Sequence, residues 1–259
     1  MPVKNVFITL KTVWLLELRI KKGILFSQPA CSSETEAACF FNKIVSGVIV
    51  PNGFSYSDVS AFYHTPEQIK ILQQTTIGIA GAGGIGSNCA VMLVRSGFSR
   101  LVIADFDRVS ASNLNRQAYF VEHLGREKVE CLQEVCTAIN PDICITAHSL
   151  RIDREKVHAV YDECDVIIEA FDDAASKALL FSEYLHSDKL LIGVSGIAGI
   201  GNSERITLRK LRENCYLVGD EVSAVSATLK PHAPQVMVAA AKIADIVLSW
   251  ALSPPQSSG

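Results

Sequence analysis

From Thr65 onward the hydrophobic positions fall into two alternating patterns. Short β-rich runs at Thr76–Ala80, Arg100–Ala104, Ile143–Ala147, Asp165–Glu169 and Leu190–Ser195 read as strands. Between them lie helical patterns. The first follows a run of glycines, continues through Val94 and is closed by Gly97. The second, Arg126–Ile139, has Val129, Leu132, Val135 and Ile139 on its apolar face and stops at Asn140-Pro141. Asp153–Tyr161 and Ala174–Leu185 supply two more, and Thr65-Pro66-Glu67 marks an earlier helix start, with Thr65 as cap and Pro66 at the first helical position. Ile206–Leu208 and Tyr216–Val218 are later strands, and Gln235–Trp250 is an apolar, Ala-rich helix. Strands alternating with helices predict an α/β fold: a doubly wound, mainly parallel sheet with a Rossmann-like nucleotide-binding half. Ligands in such sheets bind beyond the carboxyl ends of the strands, so chemistry is sought there.

Residues 1–64 lack this regularity. Their apolar runs, Val13–Leu16 and Val45–Val50, are broken by Ser32–Glu36 and Pro51-Asn52-Gly53. The expected organisation is an N-terminal extension (1–64), one α/β domain (65–252) and a Pro/Ser-rich, frayed tail (253–259). With 49% hydrophobic residues the chain is not globally disordered. Its 24 Lys+Arg against 27 Asp+Glu argue against a dedicated nucleic-acid binder. No stretch approaches about 20 uninterrupted apolar residues, and Lys242 and Asp245 interrupt the last helix, so no membrane span is expected. Met1–Lys22 carries Lys11, Glu17 and Arg19 within its apolar part, unlike a secretory signal, and the expected location is the cytoplasm. None of the eight cysteines forms C-x-x-C, so reduced thiols and no zinc are expected. The six histidines show no H-E-x-x-H spacing.

Gly81-Ala82-Gly83-Gly84-Ile85-Gly86 matches G-x-G-x-x-G, follows a strand and opens a helix. Glycine permits a tight turn and close approach of phosphate, and the helix start offers unpaired N–H groups. Asp105 follows the second strand, where an acid accepts hydrogen bonds from ribose hydroxyls. The motif alone does not separate a dinucleotide from ATP. The following loop does more, because Asn113, Asn115 and Arg116 are clustered at the ligand end. A planar guanidinium at Arg116 pairs two phosphate oxygens at once. Lys128 offers a second cation, and Asp172, beside Asp173, offers a carboxylate for a phosphate-bound Mg²⁺.

Several segments together resemble the ThiF/MoeB/ubiquitin-activating superfamily. They are Gly81–Ser87, Asp105-Phe106-Asp107, Asn113-Leu114-Asn115-Arg116-Gln117, Gly125–Glu130, Ile139-Asn140-Pro141 and Ala170-Phe171-Asp172. The similarity runs from about Ile77 to Leu252. Val194–Gly199 and Val218-Gly219-Asp220 point to the short ThiF type, which adenylates the sulfur carrier of thiamine synthesis. The resemblance implies an ATP- and Mg²⁺-dependent adenylyltransferase, usually a homodimer, in which the C-terminal glycine carboxylate of a small ubiquitin-like sulfur carrier attacks the α-phosphate. It implies a nucleotide site of Gly81, Gly83, Gly84, Gly86, Asp105, Asp107, Asn113, Arg116 and Lys128. Of these, Arg116 and Lys128 act on phosphates, and Asp172 is catalytic as the Mg²⁺ ligand.

The chain departs from that pattern in three respects. It lacks paired C-x-x-C motifs, it has no arginine between Arg19 and Arg95 where relatives carry one ahead of the first strand, and Cys215 is the one candidate for a later thiol step. Adenylation alone is therefore expected, with sulfur delivered by another protein. Val48–Phe54 resembles one strand of a carrier-like β-grasp segment, and the ending Ser257-Ser258-Gly259 is not a di-glycine. Three alternatives stay open: a family branch that cyclises threonylcarbamoyladenosine in tRNA, an NAD-dependent oxidoreductase, and a non-catalytic scaffold binding a ubiquitin-like partner.

Overall fold

The computed structural model describes residues 55–253, apart from 202, 224, 225 and 227. The β-grasp-like segment around Val48–Phe54 and nearly all of the Pro/Ser-rich tail lie outside the described residues. The elements are α1 (Tyr56–Ser60), α2 (Pro66–Gln74), β1 (Thr76–Ala80), α3 (Gly84–Arg95), β2 (Arg100–Ala104), α4 (Lys128–Ile139), β3 (Cys144–His148), α5 (Val157–Tyr161), β4 (Val166–Glu169), α6 (Ala174–Tyr184), β5 (Leu190–Val194), β6 (Thr207–Arg212), β7 (Cys215–Gly219) and α7 (Ala233–Leu252).

The strands form one sheet in the order β3-β2-β1-β4-β5-β7-β6. All neighbours are parallel except β6, which returns antiparallel along β7. The chain runs outward from β1 to β3 and then crosses to β4 on the other side of β1. That reversal opens a crevice at the carboxyl ends of β1 and β4, where doubly wound sheets place their ligands. The central strands β1, β4 and β5 are buried almost throughout. Burial on both faces explains their continuous apolar runs, such as Val166-Ile167-Ile168 and Leu190-Leu191-Ile192. One face packs Ile79, Ile103, Ile168 and Ile192 under Leu93 of α3, Leu132 of α4 and Ile243 of α7. The other packs Ala80, Ala104, Ile167 and Leu191 under Tyr161 of α5 and Leu180 of α6.

Helix α2 begins as its sequence predicts. Thr65 Oγ1 accepts from Gln68 N at 3.3 Å, Thr65 N donates to Gln68 Oε1 at 3.0 Å, and Pro66 occupies the first turn. The segment ahead of it is tied to the same domain. Ser55 Oγ and Tyr56 N donate to the Asp142 carboxylate, and Tyr56 OH donates to Arg95 O.

Several elements have other bounds than the periodic reading gives, and three of them show a physical cause. Helix α4 starts at Lys128 rather than Arg126. Glu127 is extended instead and bridges Arg108 antiparallel, and Arg126 O just before it accepts from Val109 N. Helix α5 starts at Val157 rather than Asp153, whose carboxylate accepts from Glu155 N and Lys156 N and closes a turn first. Strand β6 runs to Arg212, well past Leu208, although all six of its side chains are exposed. Its extension comes from pairing with β7 and not from any apolar alternation. Helix α7 is the one described helix long and apolar enough to cross a membrane. Ala239, Ala240, Ile243 and Val247 on that helix are fully buried in the core.

Candidate nucleotide site

The glycine turn is shaped by close backbone packing. Gly81 has φ +103°, and a Cβ there would lie 2.7 Å from Ala170 O at the end of β4. At Gly86 a Cβ would overlap Gly81 O, so this position admits no side chain while α3 packs against the turn. Space above Gly83 is open, and Gly83 caps α3 without any side-chain hydrogen bond. The N–H groups of Gly84, Ile85 and Gly86 have no hydrogen-bond partner among the described residues, which makes the start of α3 a ready site for an anion. Tyr119 OH donates to Ala82 O at 2.7 Å and fixes the turn from beneath.

Asp105 leaves β2 directly beside this turn. Its Oδ2 accepts from Ala82 N and its Oδ1 from Asp107 N, each at 2.7 Å. Burial to 9% exposure pushes its carboxyl above the ordinary range, opposed by Lys128 and by these two N–H donors. Lys128 Nζ lies 2.7 Å from Asp107 Oδ2 and 3.9 Å from Asp105 Oδ2, and is itself buried. The structure thus brings Asp105, Asp107 and Lys128 into one cluster at the turn, with the ammonium hydrogen-bonded to Asp107.

Arg116 approaches from the other side. Its Cγ and Cδ lie within 3.7 Å of the Cβ position of Gly84, and its Nη1 donates to Ser112 O and Asn115 Oδ1. Asn88 of α3 holds this segment in place by donating to both Gly84 O and Arg116 O. Asn113 Oδ1 accepts from Ser110 N at 3.0 Å, so its oxygen closes a turn, while its amide nitrogen has no partner among the described residues. The adjacent acids divide their roles. Asp173 caps α6 by accepting from Ser176 N at 2.8 Å, and Asp172 is exposed with no hydrogen-bond partner among the described residues. No group of three or more His, Cys, Asp or Glu among the described residues could hold a metal by itself. A Mg²⁺ that arrives on phosphates needs only one or two protein carboxylates, and Asp172 is compatible with that.

Asp173→Ala is expected to cost about 1 kcal/mol of stability. Hydrogen bonds from Ser176 hold the Asp173 carboxyl below its ordinary range. The contribution is therefore present above the ordinary Asp value of about 3.9 and is lost as pH falls through the depressed one. Urea unfolding of both forms across pH 2.5–7 checks this, and the gap between them should close at the acid end.

Periodicity did not single out one buried pair beneath Asp172. Glu169, at the end of β4, is fully buried, and Lys177 Nζ contacts both its carboxylate oxygens at 3.0 and 3.1 Å and Val194 O at 3.2 Å. Glu169 Oε1 also accepts from Phe171 N. Cys215 is buried, and burial pushes its thiol upward, opposite to the shift that activates a nucleophile.

The chain is similar to several known proteins. Escherichia coli K12 sulfur carrier protein ThiS adenylyltransferase is 31% identical over 150 residues, 58% of this chain and 59% of that protein. Bacillus subtilis tRNA threonylcarbamoyladenosine dehydratase is 32% identical over 134 residues, 51% of this chain and 53% of that protein. The chain thus matches little more than half the length of these curated relatives. The structure of E. coli tRNA N6-threonylcarbamoyladenosine dehydratase in complex with AMP superposes with a TM-score of 0.70 at 18% identity, covering 79% of this chain and 97% of that one. At that identity the likeness is one of fold. The ThiF family profile matches residues 56–249, from α1 into the last helix, and on that match the chain belongs to the ThiF family.

Proposed function

We propose that the protein adenylates the C-terminal glycine carboxylate of a small ubiquitin-like sulfur carrier, using ATP and releasing pyrophosphate. The observation that carries this reading is the convergence at the β1/β4 crevice. The open, uncapped start of α3, the carboxylate of Asp105 and the side chain of Arg116 all border the glycine turn. The identity shared with a ThiS adenylyltransferase supports the choice of carrier.

The chemistry follows from charge. A terminal carboxylate is already ionised at neutral pH, so the nucleophile needs no general base. One carboxylate oxygen attacks the α-phosphorus. The bond from that phosphorus to the bridging oxygen breaks, and pyrophosphate leaves with the electron pair. The barrier is the approach of two anions, and fixed positive groups lower it as charge builds up. In this reading the α3 N–H groups and Arg116 cradle phosphates, and Asp105 holds the ribose. Lys128 keeps Asp105 and Asp107 from repelling the triphosphate. Asp172 would hold Mg²⁺, which would supply further neutralisation of the phosphates.

A second reading shares this chemistry with a different carboxylate, that of threonylcarbamoyladenosine in tRNA, and is favoured by the Bacillus subtilis relative. Exchange of labelled pyrophosphate into ATP separates the two. Exchange that requires a ThiS-like carrier with a free terminal glycine, and stops when that glycine is removed, supports the proposal. Exchange driven by threonylcarbamoyladenosine-containing tRNA and not by the carrier selects the second reading. No exchange with either, together with retention of NAD(H) by the purified chain, would point to an oxidoreductase instead.

A further inference from the structure

Glu169 and Lys177 form an ion pair whose carboxylate lies fully inside the core. Taking two charges out of water is unfavourable, and two apolar side chains of the same volume would fill the space as well. What the charges add is direction, because their hydrogen bonds lead to the segments that leave β4 and β5. The Glu169 carboxylate accepts from Phe171 N at 2.8 Å and is also bonded by the backbone N–H of Val194. Lys177 Nζ donates to both carboxylate oxygens and to Val194 O. One node thus fastens the end of β4, the turn after it, α6 and the end of β5.

Asp172 stands in the middle of that turn. Ala170 N donates to Ala80 O at 2.8 Å, which holds the start of the turn against β1. Phe171 N is held by Glu169, and Asp173 on the far side is held by Ser176 N. Asp172 is exposed between these anchors and has no hydrogen bond of its own among the described residues. Its carboxylate is therefore placed by its neighbours. A group that must meet a metal has to be held to within about 0.5 Å, and a side chain on a loose turn is not. We propose that Glu169 and Lys177 are positioning residues, which keep the Asp172 carboxylate at the place where a phosphate-bound Mg²⁺ arrives. The proposal rests on the assignment of Asp172 to Mg²⁺ above and names the residues through which the chain holds that ligand in register. Neither Glu169 nor Lys177 touches the nucleotide in this account.

Calorimetric titration of the full chain with ATP, once with Mg²⁺ and once with EDTA, tests the proposal. The wild-type chain should bind ATP more tightly with Mg²⁺, and Asp172→Ala should lose that gain. Glu169→Leu/Lys177→Met replaces the pair by apolar side chains and should melt near the wild type. Its affinity for ATP in EDTA should be unchanged, while the gain from Mg²⁺ falls by about tenfold. Adding Asp172→Ala to it should cause no further loss, since all three residues act through one carboxylate. Glu169→Gln/Lys177→Met keeps an acceptor for Phe171 N but frees β5. It should lose part of the gain, and it decides the matter if the apolar pair does not fold. A folded double variant with the full wild-type gain, beside an Asp172→Ala chain that has lost it, would overturn the positioning role and leave the metal assignment standing. Equal losses in Mg²⁺ and in EDTA would make the pair a general support of the fold and overturn it as well. A full gain in Asp172→Ala, or no gain in the wild type, would remove the metal assignment and the positioning role together.

Discussion

Replacing Lys177 by methionine is expected to destabilise the protein by about 3 kcal/mol at neutral pH. The side chain of Glu169 is 1% exposed and that of Lys177 is 30% exposed. Removing the ammonium leaves a carboxylate in the core with only backbone N–H donors, from Phe171 and Val194. Losing one partner of a buried pair typically costs about 3–5 kcal/mol, and the partial exposure of Lys177 places this case at the low end. Burial already pushes the Glu169 carboxyl above its ordinary range, and Lys177 opposes that shift. In the variant the folded-state value rises further above the unfolded one, near 4.3. A raised carboxyl penalises the folded state when ionised, so the deficit is absent below the unfolded value and grows as pH rises through the folded one. Urea unfolding at pH 5 and pH 8 should show a smaller loss at pH 5. The double variant Glu169→Gln/Lys177→Met should recover most of the loss at pH 8. The pair also ties the end of β4 to Val194 at the end of β5, beneath the turn that presents Asp172.

Arg116→Ala should lower carrier adenylation by about 10²–10³-fold, the usual result of removing one preorganised donor to developing charge. Its fold should persist, because Asn88 anchors this segment through the backbone carbonyl of residue 116 and not through the guanidinium. The guanidinium donates to Ser112 O and Asn115 Oδ1, which holds it beside Gly84 before any ligand arrives. Arg116→Lys keeps the charge without the planar fork and should recover only part of the rate. Single-turnover measurement of pyrophosphate release, alongside a thermal melt, checks both statements. A full-rate Arg116→Ala enzyme would remove this residue from the mechanism.

The parts legible in the sequence are those built from contiguous residues. The glycine turn with its flanking strand and helix is a local motif, and Asp105 follows from the strand that precedes it. The α/β layout was equally readable, since buried parallel strands are short apolar runs separated by amphipathic helices. What escaped depends on contacts distant in sequence. Lys128 stands out in the sequence as a cation near a helix start, but its contacts with Asp107 and Asp105 depend on a fold-back that no local pattern shows. Glu169 and Lys177 meet only because a strand, a turn and a helix fold back on each other. Strand β6 has exposed, basic side chains on both faces, and its partner β7 alone reveals its length.

The central claim is that this crevice lets a carboxylate attack the α-phosphate of ATP. Mass spectrometry of a ThiS-like carrier, incubated with the protein, ATP and Mg²⁺ and quenched rapidly, tests it most directly. The account predicts a carrier heavier by one AMP at its terminal glycine, formed with one pyrophosphate per carrier, and absent with Arg116→Ala. An unmodified carrier, or ATP cleaved to ADP and phosphate, would contradict it.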